Sequence, residues 1–356
     1  MTAWTAEQKA AGFPHMERIF PTRRIAAGPD PIALLERPVD LGRVGFEADG
    51  VSYGLEEFLD RFNVYGFLVL ADGAVAHEEY RNGHGRSERW MSFSVAKSVV
   101  SLLVGAAVRD GLIGSVDEPV TRYLPALTGS SYDGVRITDL LHMASGVSWS
   151  EDYLDLDSDV NRTFRLTLDE QIAYMGALPR VAPPGSVFNY NTGETDLVGE
   201  LLRHAVGGTL SDYLGRTIWR PFGMEADAYW LLYDTGADEY GGTGLNATLR
   251  DYGRIGLFAL RGGVLPDGTR VLPEGWMEAS TTPSPANEAY GRFWWLRGGG
   301  VYAAQGIYGQ MIWIDPAAGV VIVTQSAWEE PTGSFPAYHA MARAVVDAVA
   351  ATEATR

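Results

Sequence analysis

The spacing of apolar residues changes period along this chain, and each change marks an element. Gly66-Phe-Leu-Val-Leu70 and Val75-Ala-His-Glu-Glu-Tyr80 flank Ala71-Asp-Gly73. Two β-prone runs joined by Asp-Gly predict a hairpin, because that pair tolerates the positive φ of a tight turn. Ser94 to Asp110 lacks proline, consists of good helix formers and runs into Gly111. It predicts a buried helix with a glycine cap. Between residues 113 and 250, helical periodicity (Ile137–Met143, Asp169–Gly176, Asp196–Val206, Thr209–Ile218) alternates with Gly- and Pro-rich loops. Arg250–Leu260 reads as a helix and opens a β-rich run. In that run Tyr308–Ile314 and Val320–Thr324 read as strands joined by Asp315-Pro-Ala-Ala-Gly319. Pro336–Ala350 closes the pattern as an amphipathic helix.

Strands near both ends with helices between predict an α/β fold of the α+β type. Residues 1–112 and 250–356 are expected to form one α/β domain, with a mostly helical domain of residues 113–249 inserted. The 356 residues, 46% apolar and 11% aromatic, suffice for a large core and a pocket. The net charge of −17 argues against a nucleic-acid partner, since phosphate binding needs clustered cations. With no cysteine, disulfides, thiol catalysis and cysteine metal sites are excluded. The six histidines show no ligand spacing, so no metal and no cofactor are expected. No apolar run reaches a membrane-spanning length, and the first 20 residues lack a basic segment leading into an apolar one. The expectation is a cytoplasmic protein with a small-molecule substrate and no membrane partner; a homodimer is left open.

The basic residues sharpen this picture. Only Lys9 and Lys97 are lysines among 28 Lys and Arg. Arginine cannot give up its proton in a protein and lysine can, so a lone lysine in an arginine-rich chain is a candidate base. Lys97 ends Ser94-Val-Ala-Lys97. On a helix, residues three apart share a face, with Cβ atoms roughly 5–6 Å apart. A serine hydroxyl is a poor nucleophile without a base beside it, and a lysine serves only when its surroundings lower its pKa. The helix N-terminus favours both a neutral amine and a developing oxyanion. The alternative for the same spacing is a serine N-cap followed by a surface lysine.

Further landmarks follow in order: Leu140-Leu-His-Met-Ala-Ser-Gly146, Pro183-Pro-Gly185 with Phe188-Asn-Tyr190, Gly242-Thr-Gly-Leu245 with Arg250-Asp251, and Gly306-Ile-Tyr-Gly-Gln310. With Ser94-Val-Ala-Lys97 they make the chain resemble, over residues 60–345, the β-lactamase-fold serine hydrolases. That family includes class C β-lactamases, D-alanyl-D-alanine peptidases, family VIII carboxylesterases and 6-aminohexanoate-dimer hydrolases, the last being nearest in motifs. The resemblance implies a β-lactamase/DD-peptidase-like fold: an antiparallel sheet flanked by terminal helices, with an inserted all-helical lobe. It implies Ser94 as acyl-accepting nucleophile, Lys97 as base and Tyr190 as proton shuttle. A tyrosine beside a cationic amine can have a depressed pKa, so the formal base is either Lys97 or Tyr190.

Two departures bear on substrate. The family's second motif, Tyr-x-Asn, reads Tyr190-Asn191-Thr192 here, and its Lys-Thr-Gly strand has no lysine to anchor a substrate carboxylate. Ala304–Gln310 resembles the 6-aminohexanoate-dimer hydrolase version, which implies an oxyanion hole from the backbone N–H groups of Ser94 and Ile307. Asn191, Gly306 and Tyr308 become expected substrate contacts. Tyr153, in the acidic loop from Ser148 to Asp159, matches a tyrosine at the active-site lip, and the loop's carboxylates suit an amine-bearing substrate. Trp295 is expected to line the pocket. The implied activity is hydrolysis of small amides or esters, such as 6-aminohexanoate oligomers, by a nylon-oligomer-hydrolase- or carboxylesterase-like enzyme. The alternatives are a non-catalytic ligand sensor or scaffold, and a true β-lactamase or D-aminopeptidase. A different pattern, Gly50-Val-Ser-Tyr-Gly54, matches a nucleophile elbow and would put Ser52 in an α/β-hydrolase.

Overall fold

The computed structural model describes Met1 and residues 4–354. The hairpin expected from its Asp-Gly turn pairs Val64–Ala71 with Ala74–Tyr80, with Ala71 opposite Ala74. Asp72 and Gly73 form a two-residue loop with φ of 46° and 77°, the primed geometry that matches strand twist.

In chain order the strands are β1 (Thr22–Ile25), β2 (Gly45–Ala48), β3 (Val51–Gly54), β4 (Val64–Ala71), β5 (Ala74–Tyr80), β6 (Arg89–Met91), β7 (Ala228–Leu231), β8 (Leu245–Thr248), β9 (Trp295–Leu296), β10 (Tyr302–Gly306), β11 (Gln310–Asp315) and β12 (Val320–Ser326). The main sheet is antiparallel in the order β5-β4-β12-β11-β10-β9. Its central strands β4, β12, β11 and β10 are buried on both faces, so they read as largely apolar runs rather than alternating ones. Leu68, Leu70, Ile312 and Val323 face one core. Phe67, Val69, Trp313 and Ile322 face the other. The first core takes the helices Val95–Arg109 and Leu249–Leu260, and the second takes the terminal helix Phe335–Glu353. This is the antiparallel sheet with flanking terminal helices that the resemblance implied.

A smaller sheet runs β1-β7-β8-β6. Its strands of three or four residues are too short to show a period, and none was marked in the sequence. β7 and β8 lie within residues 113–249 yet pair with β1 and β6, so the end of that segment joins the sheet-bearing part rather than the helices. The strand expected over Tyr308–Ile314 begins at Gln310. Ile307–Gly309 is instead the tight reversal between β10 and β11, with φ of 62° at Tyr308 and 89° at Gly309. Ser52 lies on β3 of a separate two-stranded ribbon, exposed and 3.3 Å from Glu47. A nucleophile elbow needs a parallel sheet beneath it, so the Ser52 pattern is coincidental. No helix among the described residues is long and apolar enough to cross a membrane.

Candidate active site

β6 delivers the chain to Ser92-Phe93-Ser94. The Ser92 amide is held by Leu245 O at 2.8 Å, and Phe93 takes a left-handed φ of 44°. A bulky residue there is strained, and surrounding packing must hold it. The turn places Ser94 at the head of the helix Val95–Arg109, where its hydroxyl makes no capping bond. The N-cap alternative therefore fails, and the hydroxyl faces Lys97. Lys97 Nζ lies 2.9 Å from each of Ser94 Oγ, Thr192 Oγ1 and Gly242 O. The amine is 1% exposed, and burial pushes its pKa down to about 8 against the upward pull of Glu151 and Asp196. A desolvated lysine with three oxygen neighbours is poised between its charged and neutral forms near neutral pH.

Thr192, which stands where the family pattern has Asn, heads the helix Thr192–Val206 and holds Lys97 through its hydroxyl. Glu151 grips Thr192 in turn, accepting from its amide at 3.0 Å and from its hydroxyl, and it also accepts from Tyr153 Oη at 2.8 Å and Trp149 Nε1 at 2.5 Å. One turn along, Asp196 accepts from Gly242 N at 2.8 Å and Gln171 Nε2 at 2.7 Å. It thereby holds Gly242, the residue whose carbonyl meets Lys97. Burial lifts the Asp196 pKa to about 6.

Tyr190 stacks on Trp295 with ring centroids 5.5 Å apart, and Lys97 Nζ sits 5.2 Å from its ring centroid. Burial drives its phenol pKa upward, Glu151 adds to this, and a hydrogen bond with Ser94 opposes it. The depressed phenol considered from the sequence is not found. The shift is upward, so burial favours the protonated phenol of Tyr190.

Gly306 ends β10 against the nucleophile turn. A Cβ there would lie 2.5 Å from Ser92 O and 3.0 Å from Ser94 N, so only glycine permits the approach. The next residue is Ile307, and neither its amide nor that of Ser94 donates in a turn, loop or cap among the described residues. Two adjacent N–H groups beside the nucleophile are the arrangement an oxyanion requires.

Two cavities meet at Ser94, Tyr153 and Ile307. The larger, about 430 Å³, is walled by Phe93, Val160, Phe164 and Leu231. The smaller, about 310 Å³, is lined by Tyr190, Trp295, Gly306, Arg297 and Gln305. Tyr153, Trp295 and Gly306 thus line a cavity that reaches Ser94. Asn191 and Tyr308 line neither cavity. Asn191 is fully buried and caps the helix Thr192–Val206 by accepting from Glu194 N at 3.0 Å. Tyr308 is fully buried beside Phe13 and Phe93, with Lys9 Nζ 4.1 Å from its ring centroid. Lys9 is buried too, donating to Trp328 O at 3.2 Å and Glu329 O at 2.5 Å. Asp152 and Asp155 are exposed and fold their own loop by accepting from Leu154 N and Asp157 N, each at 2.9 Å. None of the loop's aspartates lines a cavity. Glu151, Asp196 and Arg297 are the site groups that sequence reading did not single out. Only Glu151 left a signal, two residues before Tyr153.

Residues 55–346 match the Beta-lactamase family model. The chain is 32% identical over 301 residues to the 6-aminohexanoate-dimer hydrolase of Paenarthrobacter ureafaciens, covering 78% of this chain and 76% of that one. A Bacillus anthracis structure described as a candidate 6-aminohexanoate-dimer hydrolase superposes with a TM-score of 0.84 at 24% identity, covering 96% of this chain and 94% of that one. EstCE1, a hydrolase with promiscuous acyltransferase activity, superposes at 0.64 and 18% identity, covering 83% and 96%. With Ser94 at the meeting point of two cavities and a desolvated lysine 2.9 Å from its hydroxyl, these matches establish that the chain belongs to the beta-lactamase family and is a serine hydrolase.

Proposed function

We propose that the chain hydrolyses amide or ester bonds of small substrates through an acyl-enzyme on Ser94. Neutral Lys97 takes the Ser94 proton as Oγ attacks the carbonyl carbon. The tetrahedral oxyanion accepts from the N–H groups of Ser94 and Ile307, each such donor supplying on the order of 3 kcal/mol of transition-state stabilisation. Tyr190 donates its proton to the leaving nitrogen or oxygen as that bond to carbon breaks, and recovers one from the Lys97 ammonium. Water, deprotonated by Lys97, then attacks the acyl carbon and releases the acid with Ser94 restored.

The observation that carries the reading is the buried Lys97 amine, 2.9 Å from Ser94 Oγ with its pKa pushed down to about 8. Intact-protein mass spectrometry after treatment with a fluorophosphonate tests it. A single adduct on the wild type and none on Ser94→Ala is the expected result. A panel of p-nitrophenyl butyrate, a chromogenic cephalosporin and the linear 6-aminohexanoate dimer, suggested by the Paenarthrobacter relative's name, ranks the substrates. Turnover surviving in Ser94→Ala would overturn the proposal.

A further inference from the structure

Each of the two N–H groups beside the nucleophile has an aromatic residue in left-handed backbone next to it. Phe93, with φ of 44°, precedes Ser94, and Tyr308, with φ of 62°, follows Ile307. Bulky side chains do not adopt this conformation unaided, so packing has to hold both. The Ser94 N–H belongs to the peptide that Phe93 begins, and the angles at Phe93 therefore aim it. Tyr308 sits in the tight reversal out of β10 and fixes the position of Ile307.

Both rings pack on the same third ring. Phe13 is fully buried, with its centroid 5.0 Å from that of Phe93 and 5.7 Å from that of Tyr308, and those two lie 5.4 Å apart. Edge-on and tilted rings at such separations attract, and a close-packed cluster lets no member shift alone. Lys9, one turn earlier, holds Tyr308 from another side. Its ammonium donates to Trp328 O and Glu329 O and lies over the Tyr308 ring, 4.1 Å from the centroid. The segment it grips straps the Tyr308 backbone in turn: Trp328 N donates to Tyr308 O at 3.2 Å, and Tyr308 N donates to Pro331 O at 3.0 Å. An ammonium has three donors and a guanidinium five, more than two carbonyls and a ring face can satisfy. That explains a buried lysine at this point of an arginine-rich chain.

Lys9 and Phe13 lie on the helix Ala6–Gly12 and the turn Phe13–His15, before residue 55, where the family match begins. Neither lines either cavity. The arm that carries them is pinned on both sides of the pair: Trp4 packs where a side chain at Gly12 would lie, and β1 is paired with β7. We infer that this N-terminal arm clamps the oxyanion hole, with Lys9 and Phe13 as positioning residues that hold Tyr308 and Phe93 and, through them, the N–H groups of Ile307 and Ser94. The inference rests on the acyl-enzyme reading, which supplies the oxyanion.

Steady-state kinetics on p-nitrophenyl butyrate test the clamp. Lys9→Met keeps the apolar stem and loses the ammonium, and Phe13→Leu opens the ring cluster. Rates are expressed per Ser94 that takes a fluorophosphonate adduct at completion, so that misfolded protein does not count. Each variant should lose roughly ten- to a hundredfold in kcat, the scale of moving a reacting geometry by up to about 1 Å. KM should stay within about twofold, and the acid limb set by Lys97 should not move. Added to Gly306→Ala, which already displaces the hole, either change should cost little more, because effects that act through one element are not additive. Unchanged kcat in either variant overturns the inference. So do losses that multiply in full with that of Gly306→Ala, the mark of an independent effect on the fold. Lys9→Gln and Phe13→Met replace a variant that fails to fold. A wild type that takes no adduct overturns the Ser94 reading instead, and with it the oxyanion that the clamp would serve.

Discussion

Glu151 holds Thr192 at both its amide and its hydroxyl, and that hydroxyl lies 2.9 Å from Lys97 Nζ. A carboxylate one residue removed from the base thus sets both its position and its charge. Glu151→Gln keeps an acceptor for the Thr192 amide but removes the negative charge that raises the Lys97 pKa. The Lys97 pKa should then fall further. The acid limb of kcat/KM, expected near pH 8 in the wild type, should move to lower pH, with kcat reduced roughly tenfold by the disturbed positioning. A pH–rate profile on a neutral ester reads this directly; an unmoved limb would leave Glu151 a purely structural residue.

Lys97 also links pH to stability. Its pKa is about 8 in the folded chain and about 10.5 as an ordinary lysine. Between these values the unfolded chain binds more protons, so the lysine's contribution to stability rises with pH from 8 to 10.5. Below pH 8 the full desolvation cost is present, on the order of 3 kcal/mol for such a shift. Measured against Lys97→Met, wild-type Tm should therefore gain on raising the pH from 7 to 10. A constant Tm difference would contradict the depressed pKa.

Glu194 is predicted to act in the opposite sense. It is buried against Ser145 and Tyr132, and burial pushes its pKa up to about 8. Below pH 4.5 the acid is protonated in both states. Above that the unfolded chain releases its proton while the folded chain keeps it, so wild type loses stability between about 4.5 and 8. Glu194→Gln carries no such loss. Its Tm relative to wild type should rise between pH 5 and pH 8.5, by an amount equivalent to a few kcal/mol, about what such a pKa shift stores.

Gly306→Ala tests the oxyanion geometry without touching a reacting group. The added methyl would meet Ser92 O at 2.5 Å and must push β10 away from the nucleophile turn. Overpacking of this kind costs about 1–3 kcal/mol of stability. The displaced Ile307 amide should lower kcat by on the order of a hundredfold, with KM for a neutral ester changed far less. A variant with normal kcat would exclude Ile307 as a donor.

What the sequence disclosed follows from how local each signal is. Ser94, Lys97 and the Asp72-Gly73 turn are specified within a few residues; Lys97 lies 2.9 Å from Ser94 Oγ, and Asp72-Gly73 forms the hairpin loop. Tyr190, Tyr153 and Trp295 line the smaller cavity with Ser94. Asn191 and Tyr308 sit inside equally good motifs, yet one became a helix cap and the other core. Whether a side chain next to a functional residue faces the cavity depends on backbone angles such as the positive φ at Tyr308, which no periodicity reports. Asp196 and Arg297 were invisible for another reason: their significance lies in partners 46 and eight residues away, Gly242 and Gln305. The short strands β1, β6, β7 and β8 exist only because they pair with one another.

The burial of both lysines has a practical outcome. Lys9 and Lys97 are each below 5% exposed, so no lysine amine is available at the surface to carbodiimide, N-hydroxysuccinimide or glutaraldehyde chemistry. Random amine coupling to a resin should find no side-chain foothold. A single cysteine introduced on the far side of the molecule, in a chain with none of its own, would be a unique handle for oriented attachment with the cavity mouth left open.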